Sequence, residues 1–197
     1  MEQYTKKIGN RSNFRFGVGL IIRFLLYLKY AINRNIAILR GAKVGNSSII
    51  PFSLAIKANK NLCIGSDCIL ETSKLDLRGS IKIEDHCIIN KEVQIIRLSH
   101  FIDDDTLFTT KYYPQLVVKS YSWLATGCKI LPSCNEIEMG SVIGAFSVLV
   151  NNTTENGVYS GSPAKKIRSH NTKFTNLVVC SLMGGDLIYY LRARHGR

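Results

Sequence analysis

The sequence predicts an all-β fold, a parallel β-helix of about five triangular coils, with an amphipathic helical segment before it and a short helical extension after it. Three observations predict it. Over residues 118–154 an apolar residue recurs every sixth position: Val118, Leu124, Ile130 and then, after one extra residue, Ile137, Ile143 and Leu149. Four places after each stands a small residue: Ser122, Cys128, Cys134, Ser141, Ser147 and Thr153. The same phase extends back to Ile64, so that eleven repeats have an apolar head and ten of the eleven have Cys, Val, Ser or Thr four places on, Lys74 being the exception. A period of six matches neither the helix period of about 3.6 nor the strand period of about 2. It is the period of one flat strand plus one tight corner, with three such repeats closing a rung. The apolar head points inward, the small residue fills the narrow corner, and each coil pairs with the next through parallel ladders.

The elements follow in order. Residues 1–40 precede the solenoid. Within them FRFGVGLIIRFLLYLKYA (14–31) is apolar but interrupted by Arg15, Arg23 and Lys29. A spanning helix wants about 20 apolar residues with few charges. Here the charges fall on one side of a helical wheel and Leu20, Ile21, Phe24, Leu25 and Leu28 on the other. That is the pattern of a basic helix lying on a membrane surface, or of one that covers the end of the solenoid. No small-residue cleavage site follows, so it does not read as a secretory signal.

The solenoid domain is expected over 41–168. The phase begins at Val44, slips through LDLRGSIK and re-locks at Ile83, Ile89 and Ile95. Gly45, Gly65 and Gly144 follow apolar heads, where a corner favours a residue without a side chain. One break is large: FIDDDTLFTTKYYPQLV (101–117) fits no rung and is expected to leave the solenoid as a loop, which in a compact domain is usually functional. After the last rung, NGVYSGSPAKKIR (156–168) turns and runs along an edge, and 169–197 forms the C-terminal extension.

The bulk numbers fit one domain of 197 residues, 46% hydrophobic, with a formal charge of +12. A basic surplus of this size attracts polyanions, whether nucleic acid, an anionic membrane or a phosphate-rich small molecule. The aromatic interleaving of a nucleic-acid surface is weak, so no nucleic-acid partner is expected. The six cysteines form no CxxC pair, and four of them (Cys68, Cys87, Cys128, Cys134) take the small slot. A reducing, cytoplasmic location is therefore expected, peripheral to the membrane if the basic segment binds it. No P-loop, GxGxxG or G-x-S-x-G occurs, and no metal is expected because the four histidines lack ligand spacing. Among them His100 stands out. It ends a repeat at a corner, just before the long loop, and histidine is the side chain best suited to proton transfer near neutral pH.

The chain resembles the hexapeptide-repeat, left-handed β-helix acyltransferases, and within them the sugar O-acetyltransferases of the maltose/galactoside type and of the colanic-acid, capsule and O-antigen type. The residues that carry the resemblance are His100 before a loop, then VVKSYSW ending in Trp123. LATGCKILP follows, where the family has W-I-G-x-x-x-x-I-L-P-G; then SVIGAFSV for V-I-G-A-G-S-V and YSGSPAKKI for G-N-P-A-K-x-I. It covers about residues 41–168.

The resemblance implies a homotrimer with acetyl-CoA in the clefts between solenoids and a sugar or glycan acceptor, free or lipid-linked, entering from the other end. It implies His100 as the general base for direct attack of the sugar hydroxyl on the thioester, with no acyl-enzyme. Backbone amides near Ala125 would hold the thioester oxygen. Trp123 would pack by the pantetheine arm and Ala145 would let it pass. Val150 and Asn151 sit where the family touches the cofactor, and Lys165 and Arg168 would meet its phosphates. Asp103, Asp104 and Asp105 in the loop are candidates for orienting His100 or holding the acceptor. The chain departs from the family at Leu124-Ala125, at Ser133, at the residue inserted near Asn135–Glu136, at Phe146, at Val150-Asn151 and at Ser162. The expected activity is O-acetylation in cell-surface polysaccharide biosynthesis. The alternatives are N-acylation of an amino sugar or other amine, and a non-catalytic trimeric solenoid.

Overall fold

The computed structural model describes residues 2–100, 110–172, 174 and 178–195. Two helices come first, α1 (Glu2–Gly9) and α2 (Asn13–Leu39). The solenoid starts at β1 (Lys43–Val44), passes a short helix, α3 (Phe52–Ala55), and continues through β2 (Leu62–Ile64), β3 (Ile69–Leu70), β4 (Ile81–Ile83), β5 (Ile88–Ile89) and β6 (Gln94–Ile95). A projection carries β7 (Ser99–His100) and β8 (Lys111–Tyr112). The rungs resume with β9 (Leu116–Val118), β10 (Trp123–Leu124), β11 (Lys129–Ile130), β12 (Glu136–Ile137), β13 (Val142–Ile143) and β14 (Val148–Leu149). A hairpin, β15 (Gly157–Gly161) and β16 (Ala164–Ser169), precedes the C-terminal helix α4 (Leu187–His195).

The strands stack into three faces. The first face runs β1-β2-β4-β9-β12, the second β3-β5-β10-β13-β15-β16, and the third β6-β11-β14. Within these faces the pairs are parallel except β15–β16, which is antiparallel. A parallel ladder of two- and three-residue strands is a β-helix. The heads predicted to point inward do so: Ile64, Ile83, Val118 and Ile137 line one ladder and Leu70, Ile89, Leu124 and Ile143 the next, all buried. Cys68, Cys87, Cys128 and Cys134 fill the small slot with no exposure, and all six thiols are free. Burial pushes the Cys128 thiol up to about 12 and Cys134 to about 11, so both pack as small apolar groups.

The Lys74 exception is a rung one residue short. Leu75, not residue 76, bridges to Ile95, and Thr72 becomes the buried small residue, its hydroxyl donating to the Val93 carbonyl (2.9 Å). The inserted residue at the opposite end is absorbed in the same way: the Asn152 side-chain oxygen accepts from the amides of Asn135 (2.8 Å) and Glu136 (3.1 Å).

The corners turn at a position the composition does not mark. Three residues after eight of the heads the backbone is left-handed: Ser47, Asp67, His86, Tyr121 and Gly140 on one edge, Glu92, Gly127 and Phe146 on another; the heads of the third face, Ile95, Ile130 and Leu149, are not followed by such a corner. For residues other than glycine this costs about 1–2 kcal/mol each, and the ladders on both sides hold it. Phe146 is one such residue, where the resemblance has glycine; its ring lies over Gly127. Gly45 serves a different need. Its φ is ordinary, but a Cβ there would stand 2.5 Å from the Gly65 carbonyl carbon.

His86 is partly buried. It sits at a left-handed corner, its ring stacked on Tyr121 (4.9 Å), which stacks on Phe174 (4.5 Å). His170 Nε2 donates to the Gly140 carbonyl (2.8 Å) on the same edge. The C-terminal extension thus runs down this edge from the last rung. It brings Val178, Val179 and Cys180 against Ile49 and Ile69, and α4 against α1 and α2.

Candidate active site

The projection that bears His100 is rooted by a buried arginine. After β6 the chain turns Arg97 back into the solenoid, where the residue has no exposure. Its Nε donates to the Ile96 carbonyl (2.7 Å), its Nη1 to Gln115 (3.1 Å) and Cys134 (2.9 Å), and its Nη2 to Leu131 (2.5 Å). One guanidinium therefore ties the outgoing strand, the returning strand and the corner of the next rung. Desolvation lowers its pKa, and the four carbonyls compensate the charge that burial strips of water. Gly79 makes room for it, since a Cβ there would meet Arg97 Cβ at 2.8 Å.

Asp76 fixes the backbone of the same root. Its Oδ2 accepts from the amides of Arg97 (3.2 Å) and Leu98 (2.9 Å), and Arg78 grips the carboxylate through Nε (2.7 Å) and Nη2 (2.9 Å). The Arg78 guanidinium lies 5.5 Å above the Tyr113 ring at the returning strand. The Arg78 bond, aided by the amides, holds Asp76 at about 2 against the opposing effect of burial. A carboxyl depressed below its usual value near 4 contributes stability that is whole above that value and is lost as pH falls toward 2. Asp76→Asn is therefore expected to flatten the fall in melting temperature over that acid range, while lowering stability at neutral pH; differential scanning calorimetry across pH checks both.

Above this root β7 and β8 pair antiparallel, with Ser99 opposite Tyr112 and His100 opposite Lys111. His100 is half-buried. Asp103, Asp104 and Asp105 lie outside the described residues. The excursion is shorter at its return than the expected 101–117: Leu116 and Val118 are buried and β9 pairs with β4 from Leu116 onward, because alternation puts both side chains on the core side.

The remaining candidates fall on other edges. Trp123 stands half-exposed on the second face, its Nε1 donating to Asn90 Oδ1 (2.6 Å), while Asn90 Nδ2 donates to Glu71 Oε2 (2.9 Å) on the rung below. Ala125 ends that strand, and its amide donates to the Ile143 carbonyl (2.9 Å). The amides of Gly127 and Cys128 are also taken, by Lys91 and Ala125. Ala145 is exposed at the same corner one rung on. Lys165 and Arg168 are exposed on β16 beside this face and have no carboxylate partner among the described residues. Val150 and Asn151 instead follow β14, on the edge from which the His100 projection departs; the Val150 carbonyl accepts from Ser133 Oγ (2.6 Å).

One solenoid therefore brings together two groups and keeps them apart from each other. His100, Val150 and Asn151 share one edge; Trp123, Ala125, Ala145, Lys165 and Arg168 share another face and its margin. Arg97 and Asp76, which set the His100 edge, carry no motif, and the one hint of them in the sequence is a charge inside an otherwise apolar rung at IIRLSH. Among the described residues no cluster of His, Cys, Asp and Glu fit to hold a metal occurs.

No protein-family model matches the chain, and no curated protein does either. Solved structures do match. The hexapeptide-repeat containing acetyltransferase of Vibrio cholerae superposes with a TM-score of 0.57 at 20% identity, over 87% of this chain and 100% of that one. The Vibrio cholerae O1 biovar eltor structure complexed with acetyl coenzyme A gives 0.56 at 18% identity, over 87% and 85%. A galactoside acetyltransferase in complex with coenzyme A gives 0.56 at 18% identity, over 81% and 86%. The chain thus has the parallel β-helix fold of the hexapeptide-repeat acetyltransferases.

Proposed function

We propose that the protein is an acetyl-CoA-dependent O-acetyltransferase that works as a homotrimer and acetylates a sugar hydroxyl of a cell-surface glycan or its precursor. The observation that carries this reading is the split of the candidate residues between two edges of one solenoid. A cleft between neighbouring solenoids joins them, with His100, Val150 and Asn151 from one chain and Trp123, Ala125, Ala145, Lys165 and Arg168 from the next. Structures of the same fold that hold acetyl coenzyme A and coenzyme A support it.

In this cleft the thin pantetheine arm passes Ala145 and Trp123, and its phosphates meet Lys165 and Arg168. His100 takes the proton of the acceptor hydroxyl as its oxygen attacks the thioester carbonyl. Charge develops on the carbonyl oxygen; with the Ala125 amide committed to the ladder, the next amide along, Thr126, is the donor for it. The carbon–sulfur bond then breaks, and the proton passes from His100 to the coenzyme A sulfur.

The test has two arms. Calorimetry should show acetyl-CoA binding that weakens about tenfold for each of Lys165→Ala and Arg168→Ala. Thiol release should appear with some members of a panel of sugars, nucleotide sugars and amino sugars; release with amines alone would move the reaction to nitrogen. A protein that binds no acetyl-CoA, or a fully active monomer, would sink the reading.

A further inference from the structure

Helix α2 turns Phe16, Leu20, Tyr30 and Ile36 toward the protein, with small and polar residues between them. Its small and polar residues face the protein: Gly19 against Tyr190, Asn33 donating to the Ile50 carbonyl (2.9 Å), and Ala37 with no exposure. Arg23, which the sequence places among the solvated charges, turns inward to Asp186 (2.9 Å) and lies 4.1 Å over the Tyr190 ring. The opposite side is an uncovered apolar seam. Phe14, Val18, Ile21, Leu25, Leu28 and Ile32 recur at alternating steps of four and three, and Phe14 is 81%, Ile21 63% and Leu25 60% exposed. Exposed apolar residues continue on the C-terminal part of the same helical cap, at Leu182, Ile188 and Leu191. An exposed stripe of this size marks an interaction surface.

Charge decides what covers it. The first 40 residues hold eight lysines and arginines against one acid, Glu2. Arg15 and Lys29 flank the seam, where long side chains can lay their stems on apolar surface and keep their charge at a polar boundary. A second copy of α2 on the seam would set these cations against their equals. A negatively charged lipid surface would satisfy them and take up the apolar stripe.

By length and composition α2 could also cross a membrane. Its inner side argues for a different placement. Spanning would ring the helix with lipid and strand the Arg23–Asp186 pair and the Asn33 hydrogen bond in hydrocarbon, where unsatisfied polar groups are costly. We propose that the helical cap is a docking surface for an anionic bilayer. On it α2 lies in the plane of the interface, with its Phe14-to-Ile32 seam in the acyl boundary and Arg15 and Lys29 at the headgroups. This proposal stands apart from the acetyl-transfer reading, since none of the residues it uses is in that cleft.

Flotation of the full chain with phosphatidylcholine vesicles, with and without phosphatidylglycerol, tests it without any activity measurement. Binding is expected to the anionic vesicles and to fall as salt is raised. Ile21→Asp combined with Leu25→Asp, both outward and therefore compatible with the fold, should abolish it with the circular dichroism and melting unchanged. Arg15→Glu and Lys29→Glu should each cut partitioning about fivefold or more. No binding, equal binding to neutral vesicles, or binding that survives the seam variant would overturn the proposal. So would light scattering that shows the seam variant breaking an assembly while vesicle binding persists, which would assign the seam to a second copy.

Discussion

His100→Ala is expected to lower the rate of acetyl transfer by about 10²–10⁴, the usual worth of a positioned general base, with melting temperature and assembly state unchanged. The expectation of unchanged stability rests on where the residue sits. His100 is half-buried on the β7–β8 projection, opposite Lys111 and beyond the buried root, so its removal opens no cavity in the rungs. In the proposed reaction the proton that His100 takes belongs to the acceptor, not to acetyl-CoA. Acetyl-CoA affinity should therefore stay close to that of the unaltered protein while turnover collapses, a split that calorimetry and steady-state kinetics can read separately. Retained turnover would remove His100 from the chemistry.

The second large effect is on stability. Arg97→Met is expected to cost about 3–5 kcal/mol, enough to lower the melting temperature by about 10 °C in a chain of this size. Methionine fills much of the same space, so the loss measured is that of the fork. The carbonyls of Ile96, Gln115, Leu131 and Cys134 each lose their donor from Arg97, and they remain at the junction of three segments. Arg97→Lys keeps the charge but not the planar fork and should fall between. Because Arg97 holds both ends of the excursion, Arg97→Met should also lower turnover at temperatures where the rungs are still folded. A variant that melts like the parent would show that the Asp76–Arg78 pair and the amides suffice to root the projection.

These two residues also mark the boundary of what could be read in advance. His100 was visible because it stands at a phase break, next to a stretch that fits no rung. Arg97, three residues before His100, was not. Its partners lie 18, 34 and 37 residues along the chain, and nothing local says which carbonyls a long charged side chain will find. The corner residues divide likewise. That a small residue follows each head by four places is a matter of space at the corner, and it shows in composition. That the third place is left-handed does not show, because Ser, Asp, His, Tyr, Glu and Phe all occupy it and the ladders supply the strain energy.

Helix α2 makes the point in the other direction. Periodicity alone located an apolar side and a charged side and left open whether the helix lies on a membrane surface or covers the end of the solenoid. Packing divided the apolar residues: the cap buries Gly19, Asn33 and Ala37, turns Arg23 inward to Asp186, packs Phe16, Leu20, Tyr30 and Ile36, and leaves Ile21, Leu25 and Leu28 outside. The solenoid is legible in the residues alone: its period, its inward ladder, its cysteine-filled corners and the place where the chain leaves it. These follow from side-chain alternation and corner volume, which repeat every few residues. How the projection is rooted, which face of the cap stays uncovered, and the fall of the candidate residues on two separate edges emerge only on folding. Each of these depends on groups far apart in the chain, brought together by the stacking of rungs.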